Sequence, residues 1–117
     1  MTTQQIADKL VEYCRTNQSH KAHDELYHAD IESFEMPNMP NAHLKGIEAI
    51  RAKNKDFDAS VEELHSAEIS DPTVVGNHFS VTMRYDMTMK EQGRMNMEEI
   101  AVYEVKDGKI VTERYFY

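Results

Sequence analysis

The hydrophobic positions of this chain change period midway, from helical spacing in the first half to strict alternation in the second. Ile6, Leu10, Tyr13 and Cys14 recur at helical intervals, and Ala7 and Val11 widen the stripe, which predicts an amphipathic first helix. Thr2 followed three residues later by Gln5 forms a capping box at its start. After a break at Thr16-Asn17-Gln18, Ser19 is placed to cap a second short helix reaching about Tyr27, with Ala22 and Leu26 on one face. Residues 31–36 alternate apolar and polar and predict a first strand. It runs into Met36-Pro37-Asn38-Met39-Pro40-Asn41, where proline removes backbone donors and restricts its predecessor, so an irregular loop is expected. Ile47, Ile50 and Phe57 place a third helix over residues 46–57, entered at Gly46.

From Val61 onward the period is two. Residues 61–69 predict a strand turned by Asp71-Pro72. Phe79, Val81, Met83, Tyr85, Met87 and Met89 alternate with polar residues in a long half-buried strand. Glu91-Gln92-Gly93 turns the chain into a strand over 95–105, and Lys106-Asp107-Gly108-Lys109 is a hairpin signal before a last strand over 110–117. Helices first and an antiparallel meander afterwards is an α+β layout.

Composition narrows the function classes. The chain has 117 residues, enough for one domain with its own core, and 13 basic against 21 acidic residues give a net charge of −8. That balance argues against nucleic acid or an anionic membrane as partner, since both reward basic patches. No apolar run approaches a membrane span, and the first residues lack the basic start and apolar stretch of a signal peptide, so a cytoplasmic domain is expected. The single cysteine, Cys14, forms neither an internal disulfide nor a thiolate zinc site, and with nothing cationic near it in sequence it reads as a small core residue. No phosphate loop, nucleotide fingerprint or Ser-His-Asp order is present, so no cofactor is expected. His20 and His23 lie three apart on the second helix, on a face that reads as solvated, and lack the third ligand a zinc site requires; no metal is expected.

Leu26-Tyr27-His28-Ala29-Asp30 before the first strand, Lys45-Gly46-Ile47-Glu48-Ala49-Ile50 at the third helix, and residues 102–110 (VYEVKDGKI) at the last hairpin occur in an order and spacing that resemble the SnoaL-like proteins. These belong to the nuclear transport factor two-like superfamily, with the ketosteroid isomerases and polyketide cyclases. The resemblance spans nearly the whole of residues 1–117, read as a single domain. It implies a cone-shaped barrel: a strongly bent, mixed but mainly antiparallel sheet packed on three N-terminal helices, an apolar pocket open at one end, and a homodimer. By the same resemblance Tyr13 falls where the isomerases place an oxyanion-donating tyrosine. Their general-base aspartate before a proline is missing, since this chain carries Glu35-Met36-Pro37 there, and the second acid's place is near Ala101.

The family's concave face assigns Val111, Glu113, Tyr115 and Tyr117 of the last strand inward and Ile110, Thr112, Arg114 and Phe116 outward. It likewise turns Met95, Met97, Glu99, Ala101, Tyr103 and Val105 inward. Glu99 and Glu113 are then two acids on apolar faces, where a carboxyl is raised toward the range useful for proton transfer. The competing expectation is that they reach water or pair with Arg94 or Arg114. The candidate catalytic set is Glu99, Glu113 and Tyr13, in a pocket lined by Phe34, Met83, Tyr85, Met97, Tyr103 and Tyr115. Outward Ile100, Val102, Ile110 and Phe116 form an apolar patch that suits a homodimer through the convex sheet face. Two functions compete: a cofactor-independent acid–base enzyme of isomerase or cyclase type acting on a small carbonyl or cyclic substrate, and a non-catalytic module that binds a small apolar ligand or dimerises.

Overall fold

The structure is a computed structural model that describes residues 1–117. Helix α1 spans Thr3–Arg15, α2 Ser19–Glu25 and α3 Ile47–Ser60. The strands are β1 Tyr27–Phe34, β2 His43–Lys45, β3 Val61–Ile69, β4 Thr73–Val75, β5 His78–Met89, β6 Gly93–Lys106 and β7 Lys109–Phe116. The sheet order is β2-β1-β7-β6-β5-β3, with β4 also pairing β5; the two outer strands of that order do not meet, so the sheet is open. Only β1 and β7 run parallel. No helix is long and apolar enough to cross a membrane.

The expected capping box forms at α1: the Thr2 hydroxyl accepts from the Gln5 amide, and the Gln5 side chain accepts from the Thr2 amide. Its apolar stripe places Ile6, Ala7, Leu10 and Val11 in the core, against Phe79 and Val81 of β5, Ala101, Tyr103 and Val105 of β6, and Ile110 of β7. Each buried isoleucine, leucine or valine among them stabilises the fold by about 1.5–3 kcal/mol through area removed from water. Register shifts interrupt β1 against β7 and β3 against β5, and such irregularities sharpen the bend of a sheet.

The structure corrects the sequence-based boundaries in several places. Ser19 is the first residue of α2 rather than its cap; Gln18 occupies the cap and makes no side-chain bond there. β1 begins at Tyr27, four residues before the expected start, because Leu26 and Tyr27 join the sheet through the Ile110 amide bonded to the Leu26 carbonyl and the Tyr27–Ile110 pairing. Short β2 and β4, three residues each, carry too little pattern to be seen in sequence. His23 is not on a solvated face: it is buried and stacks edge-on against Tyr27. Burial, and then the Arg51 cation, push its pKa down.

Two side-chain orientations are also reversed. Phe34 does not line the interior; its ring stacks on His43 at 4.7 Å and lies under the Arg114 guanidinium at 4.1 Å, on the outer side of the sheet. Ile110 does not belong to the outer patch, since it is fully buried. The cause is a bulge: Glu104 pairs with Thr112 but Val105 pairs with Ile110, so Val111 is left over and Ile110 and Glu113, three apart, both turn inward.

Candidate active site

The inner faces of β5 and β6 are as the alternation predicts. Phe79, Val81, Met83, Met87 and Met89 of β5 are buried, as are Ala101, Tyr103 and Val105 of β6. Met95, Met97 and Glu99 continue the β6 face toward the hairpin and are half-buried. Tyr103 stacks on Phe79 at 4.7 Å, while the half-buried Tyr85 donates a weak hydrogen bond to the Met83 sulfur at 3.5 Å.

Glu113 is enclosed, with 2% of its surface exposed. β1 and β7 set Ser33 and Glu113 directly opposite each other, and the Ser33 hydroxyl donates to Glu113 Oε1 at 3.0 Å. Tyr27 and Tyr115 both donate to Glu113 Oε2, at 2.5 Å and 2.9 Å. Burial and then the Glu113 charge hold both phenols well above their usual pKa, so they remain protonated donors. Three hydroxyls thus satisfy one buried carboxyl.

Beside this cluster lies a second one. Lys53 of α3 donates to Glu35 Oε1 at 2.6 Å, and its ammonium sits 3.5 Å from the Ser33 hydroxyl and 5.2 Å above the Tyr115 ring. Tyr117 donates to Glu35 Oε2 at 2.9 Å, so both carboxylate oxygens of Glu35 are occupied. Glu35 is therefore tied up by an ion pair and a phenol.

Glu99 is the exception. It stands opposite Met83 on β5, between Met97 and Ala101 on its own face, with no hydrogen-bond or ion-pair partner; neither Arg94 nor Arg114 reaches it. Burial pushes its carboxyl up from 4.5 to about 7, and the Glu35 charge adds to the rise; Lys53 opposes it, and Glu113 contributes a smaller rise. A carboxyl in that range exchanges a proton at neutral pH.

Next to Glu99 the interior opens. A cleft of about 550 Å³ lies between Phe57 and Ser60 at the end of α3 and Met89, Met95 and Met97 at the β5–β6 hairpin, with Asp56, Lys90 and Glu91 at its rim. Met97 is one pleat from Glu99 on the same face, about 7 Å along the strand. Of the residues expected to line a pocket, Met97 lines this cleft; Met83, Tyr85, Tyr103 and Tyr115 do not, Met83 standing opposite Glu99 and Tyr115 donating to Glu113.

Tyr13 lies apart from this arrangement. Its hydroxyl donates to Glu25 of α2, with Lys9 alongside, so it addresses neither acid. Tyr27 and Lys53 are the residues that the sequence conceals, Tyr27 because it reads as the end of a helix and Lys53 because its partner Glu35 lies 18 residues away in the chain. His43 bonds Glu32, and His65 lies between Glu63 and Thr88, both away from the two acids. No group of three or more His, Cys, Asp or Glu side chains is close enough to hold a metal ion.

A family model described as "SnoaL-like domain" matches residues 1–117. A structure from Mesorhizobium loti, described as a candidate SnoaL-like polyketide cyclase, is 33% identical with a TM-score of 0.94, each chain covered over 100% of its length. An NTF2-like protein from Burkholderia thailandensis is 19% identical with a TM-score of 0.83, over 99% of this chain and 90% of that one. A Catenulispora acidiphila protein with a ketosteroid isomerase-like fold, crystallised with trimethylamine, is 16% identical with a TM-score of 0.74, over 96% and 84% of the two chains. No curated protein matches the sequence.

Proposed function

The chain belongs to the SnoaL-like family, and from that premise we propose that it is a cofactor-independent acid–base enzyme of isomerase or cyclase type, acting on a small apolar carbonyl or cyclic compound. The observation that carries this reading is Glu99, a half-buried carboxyl without a partner, lifted to about 7, one pleat from the methionine-lined cleft. A structural acid is expected to be satisfied, as Glu113 is by its three hydroxyls. An unpartnered acid near neutrality is what proton abstraction beside a carbonyl requires.

In this reading Glu99 takes and returns the proton. Glu113 is a positioning residue that fixes the Tyr27 and Tyr115 rings. The methionines hold the apolar part of the substrate, since thioether side chains adapt to irregular shapes. The likeness to the Mesorhizobium loti protein, described as a candidate SnoaL-like polyketide cyclase, supports the cyclase side of this reading.

The test is hydrogen–deuterium exchange at the α-carbon of cyclic ketones such as 2-tetralone, followed by NMR in deuterated buffer. Exchange catalysed by the wild-type protein, rising with pH through about 7 and lost in Glu99→Gln, is the expected result. Equal exchange rates for wild type and Glu99→Gln would reject Glu99 as the proton carrier.

A further inference from the structure

We propose that the methionines at the β5–β6 hairpin form a thioether site for a soft monovalent cation of the copper(I) and silver(I) class. The inference goes beyond the acid–base reading of Glu99 and does not depend on it.

Strand register places the sulfurs together. Met87 of β5 stands directly opposite Met95 of β6, and Met89 and Met97 flank that pair diagonally, one toward the turn and one away from it. Gly93, opposite Met89, adds no side chain to this face. Opposed side chains start about 4.5–5.5 Å apart at Cβ and diagonal ones about 7–8 Å apart. The three rotatable bonds of a methionine let sulfurs from such positions converge on one point. Met89, Met95 and Met97 line the same cleft of about 550 Å³, so an ion has a way in.

Core packing does not account for this group. Met83 belongs to the main core, but Met87 and Met89, just as buried, lie outside it. Met95 and Met97 are half-buried and do not pack against it either. Ordering a methionine costs more rotamer entropy than ordering a leucine or isoleucine. What methionine offers in return is its sulfur.

The ligand chemistry selects the occupant. A thioether is a neutral, polarisable donor that suits soft cations, whereas calcium and magnesium require oxygen ligands. Neutral ligands leave the charge of the ion uncompensated, and the cost of holding charge away from water rises steeply with that charge, so one positive charge is favoured over two. At the rim, Asp56 and Glu91 outweigh Lys90, on a chain whose net charge is −8, and that field draws cations. The one thiol does not compete: Cys14 packs against the main core, and burial pushes its pKa up to about 11.

The experiment titrates protein with isotopically labelled methionine methyl groups with silver nitrate in chloride-free buffer, followed by NMR. One equivalent of silver is expected to shift the four hairpin methyl signals and to leave those of Met1, Met36 and Met39 in place, while zinc shifts none. Replacing Met95 and Met97 together by leucine conserves volume, so the fold persists. That double variant should bind silver about tenfold or more weakly, since losing even a supporting partner of a metal site costs that much. Competition with bicinchoninate for copper(I), under anaerobic reducing conditions, should show the same loss. Shifts confined to the exposed Met1 and Met39, equal shifts at all eight methionines, or an affinity unchanged in the double variant would each overturn the site. Silver binding abolished by Cys14→Ser would overturn it as well, by assigning the ion to the thiol.

Discussion

Replacing Glu99 by Gln should make the protein more stable at neutral and alkaline pH, an unusual outcome for a substitution on a sheet interior. The carboxyl titrates at about 7 in the folded state against an ordinary value of 4.5. The folded chain therefore holds a proton that the unfolded chain has already released between those two values. Stability from this group is fully present below about 4.5 and is lost as pH rises toward 7. At about 1.4 kcal/mol for each pH unit between the two values, wild type forfeits about 3.5 kcal/mol at most, and the amide forfeits none. Urea unfolding of both proteins at closely spaced pH values isolates the effect, because the other carboxyl groups titrate in both and cancel in the difference. The stability difference should be near zero at about pH 4.5, grow in favour of Glu99→Gln across the interval, and level off above about 7. A difference that is constant with pH, or that favours wild type at alkaline pH, would refute the claim that Glu99 is an unpartnered, desolvated acid.

Other substitutions separate the roles. Glu113→Ala strands the Tyr27, Ser33 and Tyr115 hydroxyls in the interior, and should lower stability by about 3–5 kcal/mol in denaturant titration. Tyr13→Phe removes only the contact to Glu25, so ketone exchange should match wild type; a large loss would return Tyr13 to the site. Ile100 and Phe116 are cross-strand neighbours on the outer sheet face, 47% and 46% exposed, and line a shallow groove with Arg84 and Glu98. They should bury against a second copy, giving twice the 13.6 kDa chain mass by light scattering at micromolar concentration. Ile100→Glu should halve that mass, whereas a monomeric wild type would remove the interface.

The sequence disclosed what depends on local pattern. The two-residue period of β5 and β6 identified Glu99 as inward-facing, because on a pleated strand only the identity of its neighbours is needed. The capping box at α1 was equally legible, since both partners lie within one turn. Features that depend on distant pairing were hidden. Tyr27 joins the sheet through β7, and its hydroxyl meets Glu113, 86 residues away. The bulge that turns Ile110 inward arises from how β7 pairs with β6, and no residue in Ile110-Val111-Thr112 announces it. Lys53 resembles any solvated lysine until its partner Glu35, 18 residues earlier, is brought beside it.

Glu99 and Glu113 show why residue type and facing alone do not assign chemistry. Both are glutamates on the inner faces of adjacent strands, and the alternation treats them alike. Their separation comes from what the third layer of contacts supplies. Glu113 lies where β1 crosses beside β7, so Ser33 and Tyr27 arrive with hydroxyls aimed at it, and Tyr115 adds a third from its own strand. Glu99 lies toward the hairpin, where its cross-strand neighbour is the thioether of Met83 and the residue one pleat on is Met97 at the cleft. Donors turn one acid into part of the framework, and their absence leaves the other desolvated and ready to exchange a proton. The geometry of β1, a strand whose first residues read as helix, therefore decides which acid is available for chemistry.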